Sequence, residues 1–281
     1  MTQPRTLLTV LAHPDDESFG MGGILARYAR EGVQVHYACA TRGEAGSVDD
    51  HYLQNYPTIA DLRTAELTCA AKHLGLTQVH YLGYRDSGMP GSPDNANPAA
   101  LINAPVEEVA QKVAALIRQL RPQVVLTFDP IGGYKHPDHI AIHHATVRAF
   151  SLAADSTFIT DAAPYQPQKL YFHLFPKRFL KFVVLLMRLL LQNPRKFGRN
   201  RDIDLQTLVE EGDFPTHAIV RFSREDAAAK LRASECHASQ GGAQMTRGFA
   251  GWIRQLGGRR DTFMRAYPPV TSNLREDDLF A

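Results

Sequence analysis

The sequence predicts an α/β fold built on a mostly parallel β-sheet. Short apolar runs alternate with stretches of helical length through the first 150 residues, and spacers of that length join parallel strands by right-handed crossovers. Glycine and proline stand where the helices should stop, and no Asn-Gly or similar hairpin signal joins two strands in this half.

Taken in order, Thr6–Ala12 (TLLTVLA) is an apolar run that suits a buried strand. Ser18–Arg30 follows as a helix with Phe19, Ile24, Leu25 and Tyr28 inward and Gly32 as its stop. Val33–Ala40 is the second strand, Ile59–Leu74 a helix closed by Gly75, and Gln78–Leu82 a third strand. The helix Val106–Leu120 must end near Arg121, because Pro122 disfavours helical geometry in the residue before it. Gln123–Phe128 (QVVLTF) is the next strand and His139–Phe150 the next helix.

Beyond residue 150 the pattern loosens. Lys169–His173 and Ala218–Phe222 read as strands, 179–191 and Arg224–Ala238 as helices, and the glycine-rich Gly241–Gly258 as loop. No linker, fixed-period repeat or low-complexity tract divides the chain. The expectation is one domain over 1–281, with a core to about residue 174 and a C-terminal elaboration from about 175.

Composition excludes more than it selects. A hydrophobic fraction of 44% with 21% charged residues is ordinary for a globular enzyme, and a net charge of +2 is too small to make nucleic acid the main partner. Cys39, Cys69 and Cys236 are odd in number, far apart and without a C-x-x-C pair. That spacing predicts neither a disulfide nor a cysteine metal site, but three buried or half-buried thiols in a reducing compartment. The first residues carry no signal-peptide pattern, so a cytoplasmic location is expected. Phe179–Leu191 (FLKFVVLLMRLLL) is 13 residues long and broken by Lys181 and Arg188, whereas a spanning helix needs about 20 apolar residues.

Two polar clusters follow two of the best strands: His13-Pro14-Asp15-Asp16-Glu17 after the first, and Asp129 to His139 (DPIGGYKHPDH) after Gln123–Phe128. Ligands of open parallel sheets bind beyond the carboxyl ends of the strands, where strand order reverses. If these two strands are neighbours there, the clusters face each other. His13, Asp16 and His139 then offer two imidazoles and a carboxylate, a donor set that leaves a position open on a catalytic divalent metal. Asp15 is left free as general base. His136, braced by Asp138, is placed to stabilise an oxyanion, with Tyr134 closing over it and Gly132-Gly133 letting backbone approach substrate. A lone His-Pro-Asp is usually a turn, and acidic residues there would also suit a helix N-terminus. It is the pairing of the two clusters that points to chemistry.

The motifs AHPDDE and GGYKHPDH, in this order, resemble the PIG-L (LmbE-like) family of zinc-dependent N-acetylglucosaminyl deacetylases, which includes the deacetylases of mycothiol and bacillithiol biosynthesis. The resemblance covers about the first 150 residues and resumes near Arg224–Gln240. It implies a Rossmann-like three-layer fold, zinc on His13, Asp16 and His139, Asp15 as general base, and His136 as oxyanion or proton partner oriented by Asp138. By the same resemblance Tyr134 is a mobile tyrosine that assists at the transition state. Glu44 in TRGEAG, Arg63, and Asp86 in RDSGM match substrate-contacting or supporting positions, and His237-Ala238-Ser239-Gln240 matches a C-terminal H-x-S-Q. Bland roles compete at the outer positions: Arg63 can pair with Glu66 on its own helix, and Asp86 can simply make a turn. His36, His51, His73, His80 and His143 have no such context and are read as ordinary surface or core histidines.

The segment 175–216 has no counterpart in that resemblance. Between Lys177 and Arg201 it holds eight basic residues and no acidic one. A basic amphipathic helix of this kind suits an anionic membrane surface, a packed helix with a solvated rim, or a homo-oligomer interface, and the latter two are preferred. The functional expectation is removal of an N-acetyl group from a small-molecule amino sugar, such as a thiol-cofactor precursor. Its rivals are hydrolysis of another amide or ester at the same site, and a non-catalytic sugar-binding protein. Fe²⁺ suits the same nitrogen and oxygen donors as Zn²⁺.

Overall fold

The computed structural model describes residues 4–175, 177–197, 203–211, 213–243, 258–271 and 273–281. Its centre is a seven-stranded sheet of β1 (Thr6–Leu11), β2 (Gln34–Cys39), β3 (Gln78–Tyr81), β4 (Val124–Phe128), β5 (Lys169–Leu174), β6 (Ala218–Arg221) and β7 (Arg260–Tyr267). The spatial order is β3-β2-β1-β4-β5-β7-β6. The first five strands pair in parallel, and β7 runs antiparallel to both β5 and β6.

Strand order therefore reverses between β1 and β4, the neighbours that the two polar clusters follow. Both strands are buried along their whole length, which is why they read as unbroken apolar runs rather than as alternation. Leu7, Leu8 and Leu11 are fully enclosed, each worth about 1.5–3 kcal/mol of transfer free energy.

The predicted helix from Ser18 is broken into α1 (Asp16–Phe19) and α2 (Gly22–Arg30), with Gly20 and Met21 between them. A Cβ on Gly23 would meet the Phe222 ring at 2.5 Å, so α2 needs glycine there to lie close against the end of β6. Helix α3 (Ile59–Leu74) ends on Gly75 at φ 71°, and α4 (Val106–Leu120) on Arg121 at φ 50°, where Gly75 and Pro122 led one to expect the stops. A short turn of helix, α5 (Gly132–Lys135), precedes α6 (Pro137–Leu152), whose first residue is proline. Helices α2 and α3 pack with α9 (Arg224–Cys236), while α4 packs on α6. Reversal of the crossover direction at β1/β4 puts these groups on opposite faces of the sheet.

One expectation from the sequence is overturned. Cys69 and Cys236 form a disulfide across 167 residues, with Cα atoms 5.8 Å apart, and Cys39 alone is a free, buried thiol. Spacing along the chain cannot show this pair, because it exists only once α9 lies against α3. With two of the three thiols paired, the cysteines no longer support a reducing compartment.

Strand β7 is a second departure from the expected elements. Most of the glycine-rich loop expected over Gly241–Gly258 lies outside the described residues. The basic segment forms α7 (Lys177–Leu189), followed by α8 (Leu205–Glu211). Val183, Val184, Leu205 and Leu208 make a small second core that packs against Ile131 and Tyr134. Phe182, Leu185 and Leu189 face outward. Arg199 and Arg201 lie outside the described residues, as does the side chain of Arg178. Among the described residues, no helix is long and apolar enough to cross a membrane.

Candidate metal and catalytic site

The loops after β1 and β4 meet as the sequence predicts. His13 Nδ1 lies 3.2 Å from His139 Nε2 and 3.6 Å from Asp16 Oδ2, and Asp16 Oδ1 lies 3.3 Å from His139 Nε2. A tetrahedral ion with ligands at about 2.0–2.1 Å sets its donors about 3.3 Å apart, and Asp16 meets the two imidazoles through different oxygens. Among the described residues, the sets with one donor atom each within 4.8 Å of one another in this region are His13, His136 and His139, and His13, Asp86 and Asp138. The side chains of His13, Asp16 and His139 are each less than a tenth exposed.

The outer nitrogens of both imidazoles are engaged. His139 Nδ1 pairs with the Gly132 carbonyl at 3.1 Å, which leaves Nε2 facing the cluster. Gly132 sits at φ 67°, and a Cβ there would come within 2.8 Å of His139 Cβ, so only glycine lets this carbonyl reach the ring. His13 Nε2 lies 3.1 Å from Asp138 and 3.4 Å from Asp86. Imidazoles that bind metals are commonly fixed in this way by a carboxylate or carbonyl behind them.

The charges of the cluster are strongly linked. Burial works against protonation of His13, yet Asp86, Asp138 and Asp16 hold its pKa well above the ordinary value. Burial likewise opposes ionisation of Asp16, but His139 and His13 hold its carboxyl well below the usual range. The carboxylates of this buried cluster are balanced by positive charge on His13 and Arg63.

Asp138 corrects an expectation. Its carboxylate does not brace the side chain of His136. One oxygen faces His13 and accepts from the Ser87 backbone N–H at 2.9 Å, and the other accepts from the Ser87 hydroxyl. His136 touches Asp138 only through backbone, its Nδ1 accepting the Asp138 N–H at 3.2 Å as the cap of α6. That bond leaves the proton of a neutral His136 on Nε2. Burial first, then the neighbouring His13 and His139, hold the His136 pKa well below its usual value, so the ring is neutral at pH 7. Tyr134 stacks edge-on to His139 with ring centroids 4.9 Å apart, and burial raises its phenol pKa.

Asp15 occupies strained backbone, at φ 115° and ψ −28°, as the residue before α1. Residues held in such regions cost about 1–3 kcal/mol and cluster at functional sites. Burial pushes its carboxyl up to about 6, against the pull of Arg63 and with the help of Asp16.

Arg63 does not pair with Glu66. Its guanidinium donates to Asp15 Oδ2 at 3.0 Å, to the Pro14 carbonyl at 2.6 Å and to the Gly43 carbonyl at 3.0 Å. A Cβ on Gly43 would stand 1.9 Å from Arg63 Nη1, so this glycine opens the path of the side chain. Asp86 does make a turn, accepting the Gly88 N–H at 2.8 Å, but it is buried and faces His13 as well. Glu44 accepts the Asp86 N–H at 3.0 Å and so anchors that turn.

Three supports are invisible in the sequence alone. Glu17, fully buried, accepts from the Asp15 backbone N–H at 3.0 Å and pairs with His237 Nε2 at 2.8 Å. Ser239 donates to Glu66 through both its N–H and its hydroxyl, each at 2.7 Å. Asp129 accepts from Ile131 and Gly133 and shapes the loop that carries Tyr134. The H-x-S-Q motif is the available signal for the first two, but its partners lie about 200 residues away. His36, His80 and His143 lie outside the cluster: His36 pairs with His80, and His143 with the Phe128 carbonyl.

Imidazoles and carboxylates gathered at the switch point of a parallel sheet suit a hydrolase built around a divalent cation. The chain belongs to the PIG-L family, described as GlcNAc-PI de-N-acetylase, which matches residues 8–150. This is a family of metal-dependent deacetylases, which are amide hydrolases.

Among its curated relatives is the 1D-myo-inositol 2-acetamido-2-deoxy-alpha-D-glucopyranoside deacetylase of Kineococcus radiotolerans. The two are 39% identical over 257 residues, covering 85% of this chain and 70% of that protein. The protein of the same name from Streptomyces avermitilis is 39% identical over 247 residues, covering 84% and 83%. Among solved structures, the N,N'-diacetylchitobiose deacetylase of Pyrococcus horikoshii superposes with a TM-score of 0.63 at 20% identity, covering 94% of this chain and 84% of that one. The 4-carboxy-2-hydroxymuconate hydratase of Pseudomonas putida gives 0.61 at 18% identity, covering 96% and 99%. These likenesses concern the fold alone, which evidently carries more than one chemistry.

Proposed function

We propose that the protein hydrolyses the acetamide of 1D-myo-inositol 2-acetamido-2-deoxy-alpha-D-glucopyranoside, releasing acetate and the free amine. The observation that carries this is the convergence of His13, Asp16 and His139, with contacts of 3.2–3.6 Å and Asp15 beside them, in a chain 39% identical to deacetylases of that substrate. The donor set fits Zn²⁺, and Fe²⁺ by the same nitrogen and oxygen chemistry. When bound, the ion supplies Lewis acidity that polarises the amide carbonyl and makes water easier to deprotonate.

The protein's own groups do the rest. Asp15, its carboxyl raised to about 6 by burial, takes a proton from the attacking water and returns it to the departing amine. Arg63 holds Asp15 through Oδ2 and leaves the other oxygen for that transfer. His136 presents its Nε2–H to the carbonyl oxygen as charge grows there. Asp138 and Asp86 orient His13, and Tyr134 closes the site from the side of α7. Arg63 positions Asp15, Asp86 positions His13, and Glu44 anchors the turn at Asp86, so these three support the reacting groups.

The test is acetate release from this inositol glycoside, from N-acetylglucosamine conjugates with other aglycones, and from non-acetyl amides and esters, with Asp15→Asn beside the wild type. Release that is fastest from the inositol glycoside, and lost in Asp15→Asn while metal stays bound, is expected. Preference for another aglycone would refute the substrate. Release only from another acyl bond would refute the reaction.

A further inference from the structure

A second cluster of metal-ligating groups lies at the junction of α3 and α9, outside the site above. Cys69 and His73 are four residues apart and so share one face of that helix. Cys236, the last residue of α9, is brought against them by the packing of α9 on α3. The two sulfurs and an imidazole nitrogen all lie within 4.8 Å of one another. Cys69 and His73 are exposed and Cys236 is half-buried, so both a reductant and an ion can reach them.

We propose that reduction of the Cys69–Cys236 disulfide turns this junction into a Cys₂His site for a thiophilic divalent cation such as Zn²⁺. A dithiol reductant gives up two electrons and two protons, becoming a disulfide itself as the Cys69–Cys236 bond breaks to two thiols. The cation then displaces both thiol protons and binds two thiolates and His73, with water as fourth ligand. Thiolates select such ions over those that prefer oxygen, and a donor separation of up to 4.8 Å contracts to the spacing a tetrahedral ion needs by side-chain rotation. The disulfide and the ion are thus alternative staples across one junction.

The junction matters because of the residues just beyond it in the chain. His237, next to Cys236, pairs with Glu17, which holds the backbone of Asp15, and Ser239 pairs with Glu66 on α3. A staple at Cys236, in either form, keeps α9 seated where these contacts are made.

The test is Co²⁺ titration of the full-length, metal-free protein, oxidised and after dithiol reduction. The oxidised protein is expected to bind one equivalent and the reduced protein two, the second with a thiolate-to-cobalt charge-transfer band that the nitrogen and oxygen site cannot give. His13→Ala should remove the first equivalent and leave that band. His73→Ala keeps the disulfide, so the oxidised variant should match wild type in melting temperature and activity. Reduced, it should bind the second ion about tenfold more weakly or worse. One equivalent in the reduced wild type, two equivalents without the band, or undiminished second-site affinity in His73→Ala would each overturn the proposal.

Discussion

The parallel and antiparallel ends of the sheet divide the work. His13, Asp15, Asp16 and His139 all come from the turns and first helical residues that follow β1 and β4, in the middle of the parallel half. Among the described residues, the C-terminal part with β6, β7 and α9 supports the site from behind, through His237 on Glu17 and Ser239 on Glu66. The contrast teaches that reacting groups lie at strand ends where two loops converge, while their precision depends on buried polar contacts supplied from a distant stretch of chain.

The largest effect expected is on the parallel side. Asp15→Asn should lower kcat by about 10²–10⁴-fold with metal content unchanged, as measured by steady-state acetate release alongside elemental analysis. Retained activity would move the proton-transfer role elsewhere.

On the supporting side, His237→Ala leaves Glu17 buried without its imidazole partner. Loss of one member of such a pair costs about 3–5 kcal/mol, read from denaturant unfolding, and kcat should fall as the Asp15 backbone loosens. A stable, fully active variant would dissolve the distinction between the two halves.

Asp138→Asn sharpens the comparison within the site. Because the carboxylate stands behind His13, metal affinity should drop by about 10–100-fold in competition with a chelator. Lowered kcat with unchanged metal affinity would instead restore the bracing of His136.

The smallest effect belongs to the antiparallel edge. Glu276 pairs with Lys169, Tyr171 and Arg265, and although burial opposes it, these partners hold its carboxyl below the ordinary value. A depressed carboxylate stabilises the fold above its unfolded pKa of about 4.3, and that contribution is lost as pH falls through the folded value. Glu276→Gln should therefore lower the melting temperature at neutral and alkaline pH, change it least at the acid extreme, and so flatten the acid limb of stability against pH, as measured by thermal melting.

Much of this protein was legible before folding. The apolar runs of β1 and β4, the stops at Gly75 and Pro122, and the polar clusters after two strands are local signals, set by period and turn chemistry. They sufficed to place His13, Asp16 and His139 together, because a parallel sheet brings the ends of its neighbouring strands to one crevice. The break between α1 and α2 was hidden, since Gly20 follows a stretch whose apolar spacing suits one continuous helix.

The sequence by itself determined the strand-and-helix rhythm and the two polar clusters that follow β1 and β4. Only the tertiary structure decided that Asp138 serves His13, that Arg63 reaches Asp15 past Gly43, that His237 meets Glu17, and that Cys69 bonds Cys236. These are contacts between segments some 48 to 220 residues apart. No local propensity encodes them. They arise when burial forces each polar group to find a partner among whatever the packed helices bring near.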